Sequence, residues 1–246
     1  MLSPELLILF ILLALLAEIL GTVGGFGSSL FFVPIAGYFM DFQSVLGVTA
    51  LFHVASNLSK IALFKHGFNR FLIIYMGIPA VVFVIAGAIM SKYFQTYMLE
   101  LMLSIFLIAL SSFLMIMKNV KVEPGKQNSI AGGIISGFIA GLVGTGGAVR
   151  GIVLSSYQLK IEVFIATSAI IDLAIDASRS VVYYYNGYIH SKDLYLVFLL
   201  IAVSFIGTYI GRFLLRYITE SYFRNIVLSL ALITGIVTLI RLATAS

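Results

Sequence analysis

Six polar residues stand at a single spacing in two largely apolar stretches of this chain. His53, Asn57 and Lys60 lie at i, i+4 and i+7 and so share one face of a helix. Asp172, Asp176 and Arg179 repeat that spacing, each 119 positions further on. Lys60 and Arg179 can hold an anion, arginine by bonding two oxygens at once. Asp172 or Asp176 can carry a coupled proton. The same residues also admit a purely structural reading, in which Asp176 pairs with Arg179 and Lys60 pairs with an aspartate of the other stretch. Two more charges stand beside glycine clusters. Glu18 comes one turn before the first cluster, as a further proton carrier or as a satisfied structural carboxylate. Arg150 follows the second, where it either adds positive charge to a helix end or snorkels to an interface.

The residue types exclude much other chemistry. There is no cysteine, and His53, His66 and His190 are scattered without paired-ligand spacing, so neither a thiolate nor a metal site is expected. His66 and His190 read as solvated loop residues. No serine has histidine and acid partners at a recognised spacing, and no Gly-Lys-Ser/Thr follows the glycines, so an enzyme, a nucleotide loop and a cofactor are not expected. The formal charge of +5 comes without a long basic run, which points to membrane orientation and away from nucleic acid.

The elements that carry these residues must be membrane helices. Of 246 residues, 61% are hydrophobic and 10% charged. Apolar stretches of about 20 residues, the length that spans a hydrocarbon layer, follow one another with short polar breaks. They lie near 2–20, continuing in broken form to 40, then 43–64, 71–91 and 97–117. A second set lies near 129–157, again broken, then 161–185, 193–214 and 223–242. The first stretch has no basic lead or small-residue cleavage site and reads as a retained span. Tyr183 to Tyr185 suit an interfacial aromatic belt. The expected fold is all-α and polytopic, about eight spans in two homologous repeats, 1–118 and 129–246, joined by a polar linker at 119–128. With four crossings per set, Lys65, Arg70, Lys118, Lys121, Lys126 and Lys192 share one face. Lys92, Lys160, Arg212, Arg216 and Arg224 lie opposite, and the slight bias puts the linker in the cytoplasm. Whether 2–40 and 129–157 cross once, cross twice or re-enter is open at this level.

Internal repetition ties the halves together. Gly21-Thr-Val-Gly-Gly-Phe-Gly27 matches Gly141-Leu-Val-Gly-Thr-Gly-Gly147 at four positions with a shift of 120. Gly67 and Gly187 match at the same shift, and Thr49 and Thr167 at 118. Each clustered glycine costs a helix roughly 1 kcal/mol relative to alanine, so the helices are expected to break at Gly24, Gly25 and Gly27 and at Gly144, Gly146 and Gly147. The restarting helices would offer unpaired N–H groups and positive dipole ends to an anion. Close helix packing is the alternative, of the kind that Gly133, Gly137 and Gly141 or Gly207 and Gly211 would support at four-residue spacing.

Residues 21–34, from Gly21-Thr-Val-Gly-Gly-Phe-Gly27 through Ser28, Ser29 and Phe31 to Pro34, the Gly-Val-Thr beginning at Gly47 and the second cluster at Gly141 together resemble the TauE/SafE family of sulfite and organosulfonate exporters. The second cluster departs in having Leu154 where the first has Pro34. The resemblance implies a multi-pass permease of a prokaryotic plasma membrane that exports a small sulfur-containing anion. Its partners would be the lipid bilayer, the anion and a coupled proton, with Gly24, Gly25, Gly27, Asn57, Lys60, Gly144, Gly146, Gly147, Arg150 and Arg179 at the substrate and Glu18, Asp172 and Asp176 as coupling-ion candidates. A non-transporting assembly or scaffold protein of the same duplicated fold is the rival, and a membrane-embedded hydrolase a more distant one.

Overall fold

In the computed structural model, residues 2–25, 27–65, 67–117, 122–215, 217 and 220–244 are described. His66, Lys118, Lys121, Arg216 and the side chain of Arg224 lie outside that set. The described residues form ten helices: α1 Pro4–Gly24, α2 Ser29–Ala36, α3 Phe42–Leu63, α4 Arg70–Ser91 and α5 Thr96–Ile116, followed by α6 Lys126–Val143, α7 Gly147–Ser155, α8 Ile161–Tyr185, α9 Ser191–Leu214 and α10 Glu220–Thr244. Eight are long and two are short. Helices α1, α3, α4, α5 and α9 are long and apolar enough to cross a membrane. Helix α6 opens on Lys126-Gln127-Asn128, and α8 carries Glu162, Asp172, Asp176 and Arg179, so their membrane fit depends on protein neighbours rather than on apolarity.

The two short helices settle what the broken stretches do. Eight residues rise about 12 Å, less than half of a hydrocarbon layer, so α2 cannot cross. It turns back along α1. Gly21 lies directly against the backbone of Ser28, and the Phe10 ring meets Phe32 at 5.8 Å and Phe39 at 5.2 Å, both edge-on. Helix α7 folds back on α6 in the same way: Gly146 backs onto the Ser136 carbonyl, Gly132 faces Val153, and the Tyr157 hydroxyl reaches Ser129 Oγ at 2.7 Å. Each stretch is therefore a re-entrant hairpin that ends where it began.

Contacts between neighbours fix the directions of the long helices. Helices α6 and α4 run parallel, with Gly133 on Met76, Gly137 on Ala80 and Gly141 on Val84. Helices α1 and α9 are also parallel, with Gly207 against Glu18 and Gly211 against Thr22. These five glycines do the close packing that their spacing suggests, since any Cβ there would strike the facing helix. Helices α3 and α8 are antiparallel at the centre, and α5 and α10 are antiparallel at one side, where Arg241 pairs with Glu100 and donates to the Gly37 carbonyl at 2.9 Å.

Because each hairpin ends where it began and three long helices follow it, the two halves of the chain run in opposite directions along the bundle. Both described ends of the chain lie at one end of the bundle, and Met117 and Lys126 lie at the other, the linker end. This changes the expected sorting of basic residues, which assumed four crossings per half. Lys160 and Arg212 join Lys65, Arg70 and Lys126 at the linker end, and Lys192 moves to the terminal end with Lys92.

Candidate functional site

Each hairpin turn is made by glycines in the left-handed region, with φ of +66° at Gly25, +82° at Gly27 and +84° at Gly144. An L side chain in that conformation costs about 1–2 kcal/mol, which is why glycine stands at the turns. The two turns meet in the middle of the bundle, where Ser29 Oγ lies 3.2 Å from Thr145 Oγ1. The first turns of α2 and α7 thus converge from opposite ends, and a cavity of about 20 Å³, room for one water, lies between them.

Helices α3 and α8 wall this cavity. They cross where Asn57 Nδ2 donates to Asp176 Oδ2 at 2.8 Å, so the two triplets of matched spacing do face each other. Three ion pairs surround the space. Lys60 binds Glu18 at 3.0 Å, Arg179 binds Asp176 at 2.7 Å, and Arg150 binds Asp172. Lys60 is paired within its own half and not with an aspartate of the other, which corrects that expectation. The reason is reach: Ser56, one turn before Lys60, accepts from Lys60 Nζ at 2.7 Å and donates to Glu18 at 2.6 Å, holding the ammonium toward α1.

Glu18 is fully buried and collects hydroxyl donors from Ser28, Ser56 and Thr208 at 2.6, 2.6 and 3.0 Å, with Thr22 at 3.3 Å. A carboxylate that accepts this many hydrogen bonds beside an ammonium is a fastening point for α1, α2, α3 and α9. Arg179 is also saturated. Its Nη1 donates to the carbonyls of Ala140 and Gly144, at 3.1 and 2.9 Å, and so caps the C-terminus of α6 at the second turn. Its Nη2 points at His53 Nδ1 at 3.4 Å. Since a guanidinium only donates, Nδ1 accepts and the ring proton sits on Nε2, which reaches Ser28 Oγ at 3.0 Å. Tyr183, expected in an aromatic belt, is instead buried and donates to the Gly141 carbonyl at 2.7 Å, whereas Tyr184 and Tyr185 are exposed.

Arg150 stands apart from the other two cations. It is 3% exposed, and only Nη2 is bonded: Nε and Nη1 are buried without any partner. An arginine so deep in a bundle, with two donors unused, does not snorkel.

Of the residues expected at the substrate, Gly27, Asn57, Lys60, Gly144, Gly146, Gly147 and Arg150 line the central cavity, together with Asp172 and Asp176. Gly25 lines an adjoining cavity, and Gly24 lines only the wider vestibule beyond it. Glu18 and Arg179 stand behind the lining, Glu18 bonded to Lys60 and Ser28 and Arg179 to Asp176. The sequence reading passed over Ser28, Ser29, Ser56 and Thr145. Ser28 and Ser29 had a usable signal, since serines directly after a glycine cluster are favoured at a helix start. Ser56 and Thr145 had none, because a lone hydroxyl in an apolar stretch carries no period.

A helical bundle with two opposed hairpins and buried charges around a central cavity is an architecture that membrane transporters use. The chain belongs to the sulfite exporter TauE/SafE family, whose family model matches residues 10–238. The resemblance carried by residues 21–34 and by the second cluster therefore extends over nearly the whole protein, a multi-pass membrane protein of an exporter family. No curated protein and no solved structure matches the chain.

Proposed function

We propose that this protein is a secondary transporter that exports a small oxyanion of the sulfite or organosulfonate class, bound where the two hairpin turns meet. The observation that carries the reading is Arg150, a buried guanidinium with Nε and Nη1 unpartnered beside a polar cavity. An unpaired buried donor costs about 1–3 kcal/mol, more when charged, and an oxyanion bound at either edge of the guanidinium lowers that cost by accepting from one of these nitrogens. The first turns of α2 and α7 add backbone N–H groups of the same polarity. Lys60 lines the same cavity and Arg179 positions the second turn.

The two halves, 1–118 and 129–246, act as inverted repeats, and rocking of one against the other exposes the site alternately to each side. At about 20 Å³ the cavity is smaller than a sulfonate, so binding one requires the two turns to separate. The excess of Lys and Arg at the linker end orients that end to the cytoplasm of a plasma membrane.

Counterflow of labelled sulfite, sulfoacetate and methanesulfonate in proteoliposomes tests the reading. Saturable exchange by the native protein, lost in Arg150→Ala and partly kept in Arg150→Lys, is expected. Absence of exchange by folded protein for all three anions overturns it and favours a non-transporting role.

A further inference from the structure

Asp172 differs from Glu18 and Asp176, the other two carboxylates of the site, in where it lies. Its side chain is 17% exposed, against 6% for Asp176 and none for Glu18. It lines the central cavity and also a second cavity of about 20 Å³ that shares Gly27, Asn57 and Lys60 with the first. That second cavity shares Gly25 and Ile165 with a vestibule of about 460 Å³, walled in part by Ser155, Gln158 and Phe164 at the linker end of the bundle. The carboxylate that holds Arg150 thus lies between the central cavity and the vestibule at the linker end.

The charges around the site balance. Glu18, Asp172 and Asp176 face Lys60, Arg150 and Arg179, and His53 accepts at Nδ1 from a guanidinium and so adds no charge. An anion entering this set leaves an uncompensated negative charge in a low-dielectric interior, which is costly unless a proton enters with it. Only one carboxylate is placed to take that proton. Glu18 is held by Lys60 and several hydroxyls from α1, α2, α3 and α9, and Asp176 by Arg179 and Asn57. Asp172 has Arg150 from α7 and a single hydroxyl, Ser168 at 3.1 Å on its own helix. The charged groups facing it are Arg150, Lys60 across both cavities from α3, with Glu18 of α1 behind, and Asp176 and Arg179 one and two turns along α8.

Resting on the transporter reading above, we infer that Asp172 and the substrate compete for Arg150, so that Asp172 takes up a proton from the linker end as an anion binds and the two cross together. The Arg150 to Asp172 ion pair breaks, the carboxylate oxygen gains the proton, and the oxyanion accepts from the freed Nη2 together with Nε or Nη1. Both the empty and the loaded site are then neutral, and transport of a monovalent anion moves no net charge.

The test uses proteoliposomes containing a trapped pH indicator, with methanesulfonate as the probe because it stays ionised throughout the working range. Labelled counterflow at equal pH reports the transporter itself, and its absence overturns the reading on which the inference rests. With counterflow present, inward methanesulfonate is expected to acidify the lumen, one proton per anion, without a change in membrane potential. Counterflow without acidification overturns the coupling and leaves the transporter standing. Asp172→Asn is expected to lower the number of protons moved per anion from one toward zero, and an unchanged ratio removes Asp172 from the role. Should Asp172→Asn not fold, Asp172→Glu decides: the longer carboxylate must shift the pH dependence of transport, and an unshifted profile overturns the assignment.

Discussion

Glu18→Gln is the substitution that best separates a structural carboxylate from a proton carrier. The side chain keeps its shape and can still accept from two of the hydroxyls around it, but the charge opposite Lys60, at 3.0 Å, is gone. Lys60 is 7% exposed and has Ser56 as its remaining partner, so the ammonium is left nearly uncompensated. Removing one member of a buried pair costs about 3–5 kcal/mol, mostly as the penalty of the stranded charge. The pair therefore has a recognisable signature. Glu18→Gln alone should lower thermal stability in detergent strongly, and adding Lys60→Met should restore most of the loss, because no charge then remains to be stranded. Fluorescence-detected size exclusion after heating measures both proteins alongside the native one. A double variant as unstable as Glu18→Gln would refute the reasoning, and so would a Glu18→Gln protein of native stability that has lost only proton coupling.

Other outcomes follow from single contacts. Gly137→Leu drives a side chain into the Ala80 backbone and should abolish the folded protein, whereas Gly187→Ala, at φ +81° with open space around it, should cost only about 1–2 kcal/mol. Comparing the yield of monodisperse protein distinguishes the two. The native chain has no cysteine, so Ser155→Cys in the vestibule should react with a membrane-impermeant thiol reagent from the linker side, while Leu46→Cys, fully buried toward the terminal end, should not. Labelling of Ser155→Cys from the opposite side would reverse the assigned route. Asp41 caps α3, accepting from Ser44 N at 2.9 Å and Ser44 Oγ at 2.7 Å. Partial burial works to raise its pKa, but these hydrogen bonds and the charges of Lys192 and His190 hold it below the ordinary value of 3.8. With the folded pKa depressed, the cap's electrostatic contribution is complete above 3.8 and is lost as the pH falls through the folded value. Asp41→Asn keeps an effective cap and should flatten that part of the acid-stability curve, and an unchanged curve would remove Asp41 from it.

Composition alone determined that this is a polytopic helical membrane protein, because spans of that length and apolarity have no other solvent. The glycine clusters determined where helices break, since broken helices are a local consequence of missing side chains. Matched spacing in His53, Asn57, Lys60 and Asp172, Asp176, Arg179 determined which helix faces turn inward. Direction and pairing were decided only by the tertiary structure. A glycine break looks the same in sequence whether the chain continues across or turns back, so the hairpins, the inversion of the halves and the sorting of Lys160, Arg212 and Lys192 required the observed contacts of Gly21 with Ser28 and of Gly146 with Ser136. Three buried cations also look alike along a sequence. That every head-group nitrogen of Lys60 and Arg179 is bonded while Arg150 keeps two free nitrogens depends on which neighbours reach each head group, a distance set by packing and by nothing in the order of the residues.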